Sequence, residues 1–135
     1  QSLARRVPVG VVGVITPWNF PLILALRSLA PALALGNAVL LKPDPKTAVS
    51  GGALIAGLFE QAGLPSGLLH VLPGGVDIGE ALVCSPGTNM ISFTGSTGPG
   101  IGSVNWPGPG SSRSRWNWAA TTPSSCWTTP MWMRP

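Results

Sequence analysis

Few residues in this 135-residue chain can do chemistry, and they gather in short turns rich in proline and glycine. Thr16-Pro17-Trp18-Asn19-Phe20-Pro21 follows an apolar run. There the Asn19 amide can donate to a developing oxyanion, and the Trp18 indole can wall a pocket. Asn19 equally suits a turn or a helix cap, roles that short amide side chains fill by bonding nearby backbone. Lys42 ends a second apolar run and could reach ribose hydroxyls or a phosphate, although a solvated surface lysine is the commoner case. Gly95-Ser96-Thr97-Gly98-Pro99-Gly100 resembles a turn whose glycines let backbone N–H groups approach an anion. It is neither the G-x-G-x-x-G fingerprint nor a P-loop.

Composition removes several other chemistries. Cys84 and Cys126 stand far apart with no C-x-x-C spacing, so neither a zinc site nor a disulfide framework is indicated, and a reducing, cytoplasmic compartment is expected. Eight Lys/Arg against four acids give a net charge of +4. The cations are scattered, with no basic stripe to cover phosphates, which argues against a nucleic-acid partner. Residues 7–26 carry no charge over a length near that of a membrane span, but Pro8, Gly10, Gly13, Pro17 and Pro21 break them into strand-sized pieces. No membrane span and no signal peptide is expected.

The turns are spaced by elements that alternate in texture. Residues 7–15 are apolar and β-branched, which predicts a buried strand. Residues 21–35 have Leu/Ala helical spacing, with Gly36-Asn37 as a stop. Residues 38–42 predict a second strand, and residues 47–62 a helix capped by Thr47 and ended by Gly63. Residues 68–72 and 89–93 predict two more strands around a short helix at 76–83. Such alternation implies an α/β fold, a Rossmann-like parallel sheet with flanking helices and continuously apolar strands. Ligands of such sheets bind beyond the carboxyl ends of the strands, so the turns at 16–20, 42–46, 73–77 and 94–100 are the ones to watch.

After Gly100 the texture changes. Residues 101–135 hold five of the six tryptophans, five prolines and no acid, with no strand or helix periodicity, and are expected to form a disordered tail. Disordered tails are nevertheless poor in aromatics, so the tryptophans need another origin.

Taken in order, TPWNFPL, the run into LLKPD, GLPSGLLHVLPG and ISFTGST resemble the cofactor-binding domain of the aldehyde dehydrogenase superfamily over residues 5–100, with LLKPD close to enzymes of the benzaldehyde type. The resemblance implies NAD or NADP as cofactor and a small-molecule aldehyde, oxidised to the carboxylic acid, as the partner of the full-length relatives, which are expected to be homo-oligomers. It implies Asn19 as the oxyanion donor. It implies that Ile15, Thr16, Pro17 and Trp18 line the cofactor cleft, that Lys42 and neighbouring Asp44 meet the adenosine ribose, and that Gly75, Gly95 and Ser96 lie along the dinucleotide. Family members often carry Glu three residues after that lysine, where this chain has Pro45. The reaction implied starts from a cysteine thiolate and ends with a water activated by glutamate. Neither residue is visible. Cys84 falls in a helix and is expected to be a small buried apolar residue.

The tail yields when re-read in a shifted frame, joining the last base of each codon to the first two of the next. Trp is only TGG and Met only ATG, so some outcomes are forced. Trp116/Asn117 gives Glu, Asn117/Trp118 gives Leu and Trp118/Ala119 gives Gly, while Trp127/Thr128 and Trp132/Met133 both give Asp. The shifted segment reads like the family's next strand, with its E-L-G-G run, and the acidic loop after it. Residues from about 101 onward are therefore expected to be a frameshift product, and the chain a catalytically incomplete fragment. The alternative is a non-catalytic nucleotide-binding or interaction module with a Trp-rich docking tail.

Overall fold

The computed structural model describes residues 2, 3, 5–95 and 115–120, the last six through their backbone alone. Strand β1, Val11–Ile15, is β-branched except at Gly13. It begins later than the apolar run because Pro8 has no N–H and Gly10 turns the chain at φ 110°. The amides of Val9 and Gly10 donate instead to Asn37 Oδ1, at 2.6 and 3.1 Å, and Asn37 Nδ2 donates to the Ala32 carbonyl at 2.9 Å.

Helix α1, Pro21–Ala34, starts on a proline whose missing N–H is an unused donor there anyway. It ends at Leu35 and at Gly36, with φ 82°, where the Gly36 N–H reaches back to the Leu33 carbonyl. Strand β2, Ala38–Lys42, has the expected bounds. The next helix differs from expectation. A 3₁₀ turn at Pro45–Thr47 leads into a π turn at Val49–Ala53 and then helix α2, Leu54–Gln61. Thr47 is not the cap: Asp44 lies upstream and accepts the Lys46 N–H at 2.9 Å, with Pro45 in the first helical position behind it. Strand β3 is Leu69–Val71, helix α3 Val76–Cys84 and strand β4 Met90–Gly95.

The strands form one parallel sheet in the order β3-β2-β1-β4-β5, where β5 is Arg115–Ala120. This strand falls within the stretch that begins at residue 101. Its backbone runs beside β4 from Met90↔Arg115 to Gly95↔Ala120 and satisfies the row of N–H and C=O groups that β4 presents on that edge. Residues 96–114 and 121–135, including Ser96, Gly100 and Cys126, lie outside the described residues.

The side-chain period of two divides the core between both faces. Val12, Val14, Val39 and Leu41 pack with Ala25, Leu29 and Ala32 of α1 and Ile55 of α2. On the other face Ile91 and Phe93 pack with Leu82 of α3, with Ile15 and Leu40 alongside. Helices α1 and α2 thus cover one face and α3 the other, the arrangement right-handed crossovers require when strand order reverses beside β1. Among the described residues no helix is long and apolar enough to cross a membrane.

Candidate cofactor site

Register brings the expected turns to one edge. Ile15 stands opposite Lys42 on one side and Phe93 on the other, and Leu41 stands opposite Val71. The carboxyl ends of β1 to β4 are therefore level, and the turns that follow leave the sheet together. Beside β1 the strand order reverses, which opens a crevice between the loops leading to opposite faces.

Thr16 continues β1, its N–H donating to the Lys42 carbonyl at 3.1 Å. The residue is buried, and its Oγ1 has no hydrogen-bond partner among the described residues. A buried hydroxyl without a partner is uncommon enough to need a reason. Pro17 and Asn19 are half-buried, Trp18 is exposed, and the turn closes at Phe20 with φ 52° before Pro21 opens α1. A bulky residue in the left-handed region holds strain, as turns at functional sites often do. No hydrogen bond ties the Asn19 amide to another described residue.

Lys42 is 7 % exposed, which corrects the surface-lysine alternative. Burial lowers its pKa, and the charges of Asp44 and Asp77 partly restore it. Asp77, in the first turn of α3, is thus brought to the same edge as Asp44 after β2. Sequence reasoning placed Asp77 in a watched turn without giving it a role; the signal was an acid following a Gly-Gly pair at a helix start. Lys46 was also passed over. Its Nζ lies 5.6 Å from the centre of the Trp18 ring, linking the turns after β1 and β2. Gly75 caps α3 and Gly95 ends β4 on the same edge. Ser96 lies outside the described residues.

Cys84 is the last residue of α3 and half-buried rather than fully so. Because α3 runs back across the sheet before β4, that end stands at the edge opposite the crevice. Among the described residues no cluster of His, Cys, Asp or Glu could hold a metal ion.

The residues present fit an anionic, hydroxyl-rich ligand. Thr16 Oγ1 is a buried polar atom with no partner among the described residues, Lys42 is a cation held out of bulk water, and α3, whose N-terminus has no side-chain cap, starts from the same edge of the sheet. Fold and edge together define a doubly wound parallel α/β unit with its ligand crevice at the switch point. Residues 1–102 match the model of the aldehyde dehydrogenase family, and the chain belongs to that family. It is 72 % identical over 97 residues to the benzaldehyde dehydrogenase [NAD(+)] of Pseudomonas putida, covering 72 % of this chain and 20 % of that protein. The crystal structure of an NAD-dependent benzaldehyde dehydrogenase from Corynebacterium glutamicum superposes with a TM-score of 0.69 at 51 % identity, covering 72 % of this chain and 22 % of that one. An indole-3-acetaldehyde dehydrogenase in complex with NAD+ gives a TM-score of 0.69 at 45 % identity, covering 72 % and 20 %. The chain spans about a fifth of the length of the relatives it matches.

Proposed function

We propose that the chain carries part of the cofactor-binding domain of an NAD(P)-dependent aldehyde dehydrogenase acting on aromatic aldehydes. The observation that carries this is the gathering of four strand ends at one edge with a buried Lys42 and a Thr16 hydroxyl that has no partner among the described residues. The likeness to two benzaldehyde dehydrogenases supports the aromatic substrate class.

When bound, the nicotinamide supplies the hydride acceptor. The chain's own residues bind and orient. Lys42 holds ribose hydroxyls, with Asp44 beside it, and its desolvation makes each hydrogen bond to the ligand stronger than in water. Ile15, Thr16, Pro17 and Trp18 wall the cleft, and Gly75 and Gly95 bring backbone close to the dinucleotide; Ser96, outside the described residues, is the residue the family resemblance assigns to the pyrophosphate. The Asn19 amide, unengaged by other described residues, donates to the aldehyde oxygen as negative charge develops there.

The 135 residues alone bind the cofactor without turning over aldehyde, since Cys84 is at the far edge of the sheet and, among the described residues, no thiol faces Asn19. Residues from about 101 onward are a frameshift product. The family match ends at residue 102, which supports this. Calorimetric titration with NAD+ and NADP+, with and without benzaldehyde, tests the proposal. Binding without NAD(P)H formation is expected; aldehyde-dependent NAD(P)H would contradict the incomplete-fragment reading, and no binding would contradict the cleft. A coding sequence whose shifted frame lacks the E-L-G-G run would end the frameshift reading.

A further inference from the structure

We infer that Gly51 and Gly52 are positioning residues: the π turn they form sets where Pro21 and Pro43, and through them Asn19 and Lys42, stand at the crevice. The functional meaning of this inference rests on the dinucleotide reading above.

Both glycines are buried inside the π turn Val49–Ala53, an element otherwise rare and often found at functional sites. A Cβ on Gly51 would stand 2.9 Å from Pro21 Cβ, and one on Gly52 would stand 2.9 Å from both Pro43 Cγ and Val71 Cγ1. Such distances are closer than side-chain carbons pack, so an added methyl must move its neighbour. The neighbours here cannot simply rotate away. Pro21 Cβ is bonded to the main chain and cannot be displaced without it, while the Pro43 ring, fully buried, can yield at Cγ only by a change of pucker into packed surroundings. Pro21 follows the Asn19-Phe20 turn, whose Phe20 already holds φ 52°. Pro43 follows Lys42 and is fully buried, and Lys42 carries the carbonyl that receives the Thr16 N–H. The Gly-Gly pair of one π turn therefore touches the end of one crevice loop at Pro21, the start of another at Pro43, and the end of β3 at Val71.

Two variants of the full 135-residue chain separate positioning from plain packing. Gly52→Ala pushes on Pro43 and Val71 together; Gly52→Ala with Val71→Ala relieves only the push on Val71. Gly57→Ala, where an added Cβ meets nothing within 4 Å, is the control. Three readouts apply: thermal midpoint, NAD+ affinity, and residue-resolved acetylation of Lys42 against pH with Lys46 as internal reference. Gly52→Ala should weaken NAD+ binding about tenfold or more, the scale of a misplacement on the order of an ångström. It should also move Lys42 titration up toward the ordinary lysine value. The double variant should regain thermal midpoint but neither affinity nor Lys42 titration. If Gly52→Ala does not fold, the double variant carries the test. Wild-type affinity and titration in either folded variant, or recovery of both in the double variant, would overturn the inference. Should the unsubstituted chain not bind NAD+, the dinucleotide reading fails by itself, and Lys42 titration alone decides: a shift upholds the positioning role, no shift removes it.

Discussion

Replacing Lys42 by Met separates what this residue costs the fold from what it gives the ligand. Lys42 is 7 % exposed, and its ammonium loses hydration that Asp44 and Asp77 only partly replace. Removing one partner of a buried ion pair usually costs ~3–5 kcal/mol because a charge is left stranded. That situation does not arise here. Asp77 is exposed, and the Asp44 carboxylate already accepts the Lys46 N–H at 2.9 Å. Met fills a similar volume, so stability at pH 7 should be unchanged or higher by up to ~1 kcal/mol. The pH dependence has a defined sign. Folding lowers the pKa of Lys42 from its ordinary 10.5, so the unfolded chain holds more protons between the two values, and stability rises with pH across that window. The penalty is fully present below the folded-state pKa and gone above 10.5, so the advantage of Lys42→Met should shrink as pH approaches 10.5. Affinity should move the other way. A charge-assisted hydrogen bond is worth about 1.5–3 kcal/mol, which is roughly a 10- to 150-fold loss in NAD+ affinity. Urea unfolding at several pH values and calorimetry read both. A variant that is less stable by more than ~1 kcal/mol at pH 7, or one that binds NAD+ like the parent, would refute the reasoning.

Asn37→Ala should destabilise the chain by about 1–3 kcal/mol in urea unfolding, because it removes the side-chain acceptor of the Val9 and Gly10 amides, while the Ala32 carbonyl keeps the Asn37 backbone N–H at 3.1 Å. Leu29→Ala, at a fully buried position of the α1 core, should cost about 2–5 kcal/mol by the same assay. Lys46→Ala should change stability by no more than ~1 kcal/mol, since it removes a cation–π contact to an exposed ring; emission from Trp18, measured in a Phe-substituted background for the other tryptophans, should shift. Leu54→Lys with Leu58→Lys should raise solubility in light scattering without lowering the thermal midpoint, because both side chains are exposed and Leu58 lines an apolar groove shared with Leu22, Leu26 and Phe59.

The strand and helix pattern was legible where local and tertiary demands agree. Ala38–Lys42 is apolar up to Lys42, bounded by Gly36-Asn37 and Pro43, and paired on both sides with Val39 and Leu41 buried, so the run and the strand have the same limits. At residues 7–10 apolar character misled, since Pro8 and the left-handed Gly10 stop the ladder that hydrophobicity alone would extend. At Thr47 two capping residues competed, and Asp44 followed by Pro45 offered the better N-terminus. The π turn left no periodic trace, because its Gly-Gly pair answers to neighbours from three other segments. Pairing at 115–120 was illegible for a different reason: a strand edge offers hydrogen bonds to backbone whatever its side chains. Of the site, Asn19, Lys42 and the glycine turns could be named from order and spacing. The burial of Lys42, the Lys46 contact with Trp18 and the reach of Asp77 toward Lys42 depend on strand register, which no local pattern states.

The most direct measurement is amide NMR of the isotope-labelled chain during titration with NAD+. Chemical-shift changes should concentrate at Thr16, Asn19, Lys42, Asp44, Gly75 and Gly95, all on the carboxyl edge of the sheet. Changes centred on the opposite edge, at Gly10, Asn37, Thr88 and Asn89, or no saturable change at millimolar ligand, would contradict the proposed dinucleotide crevice.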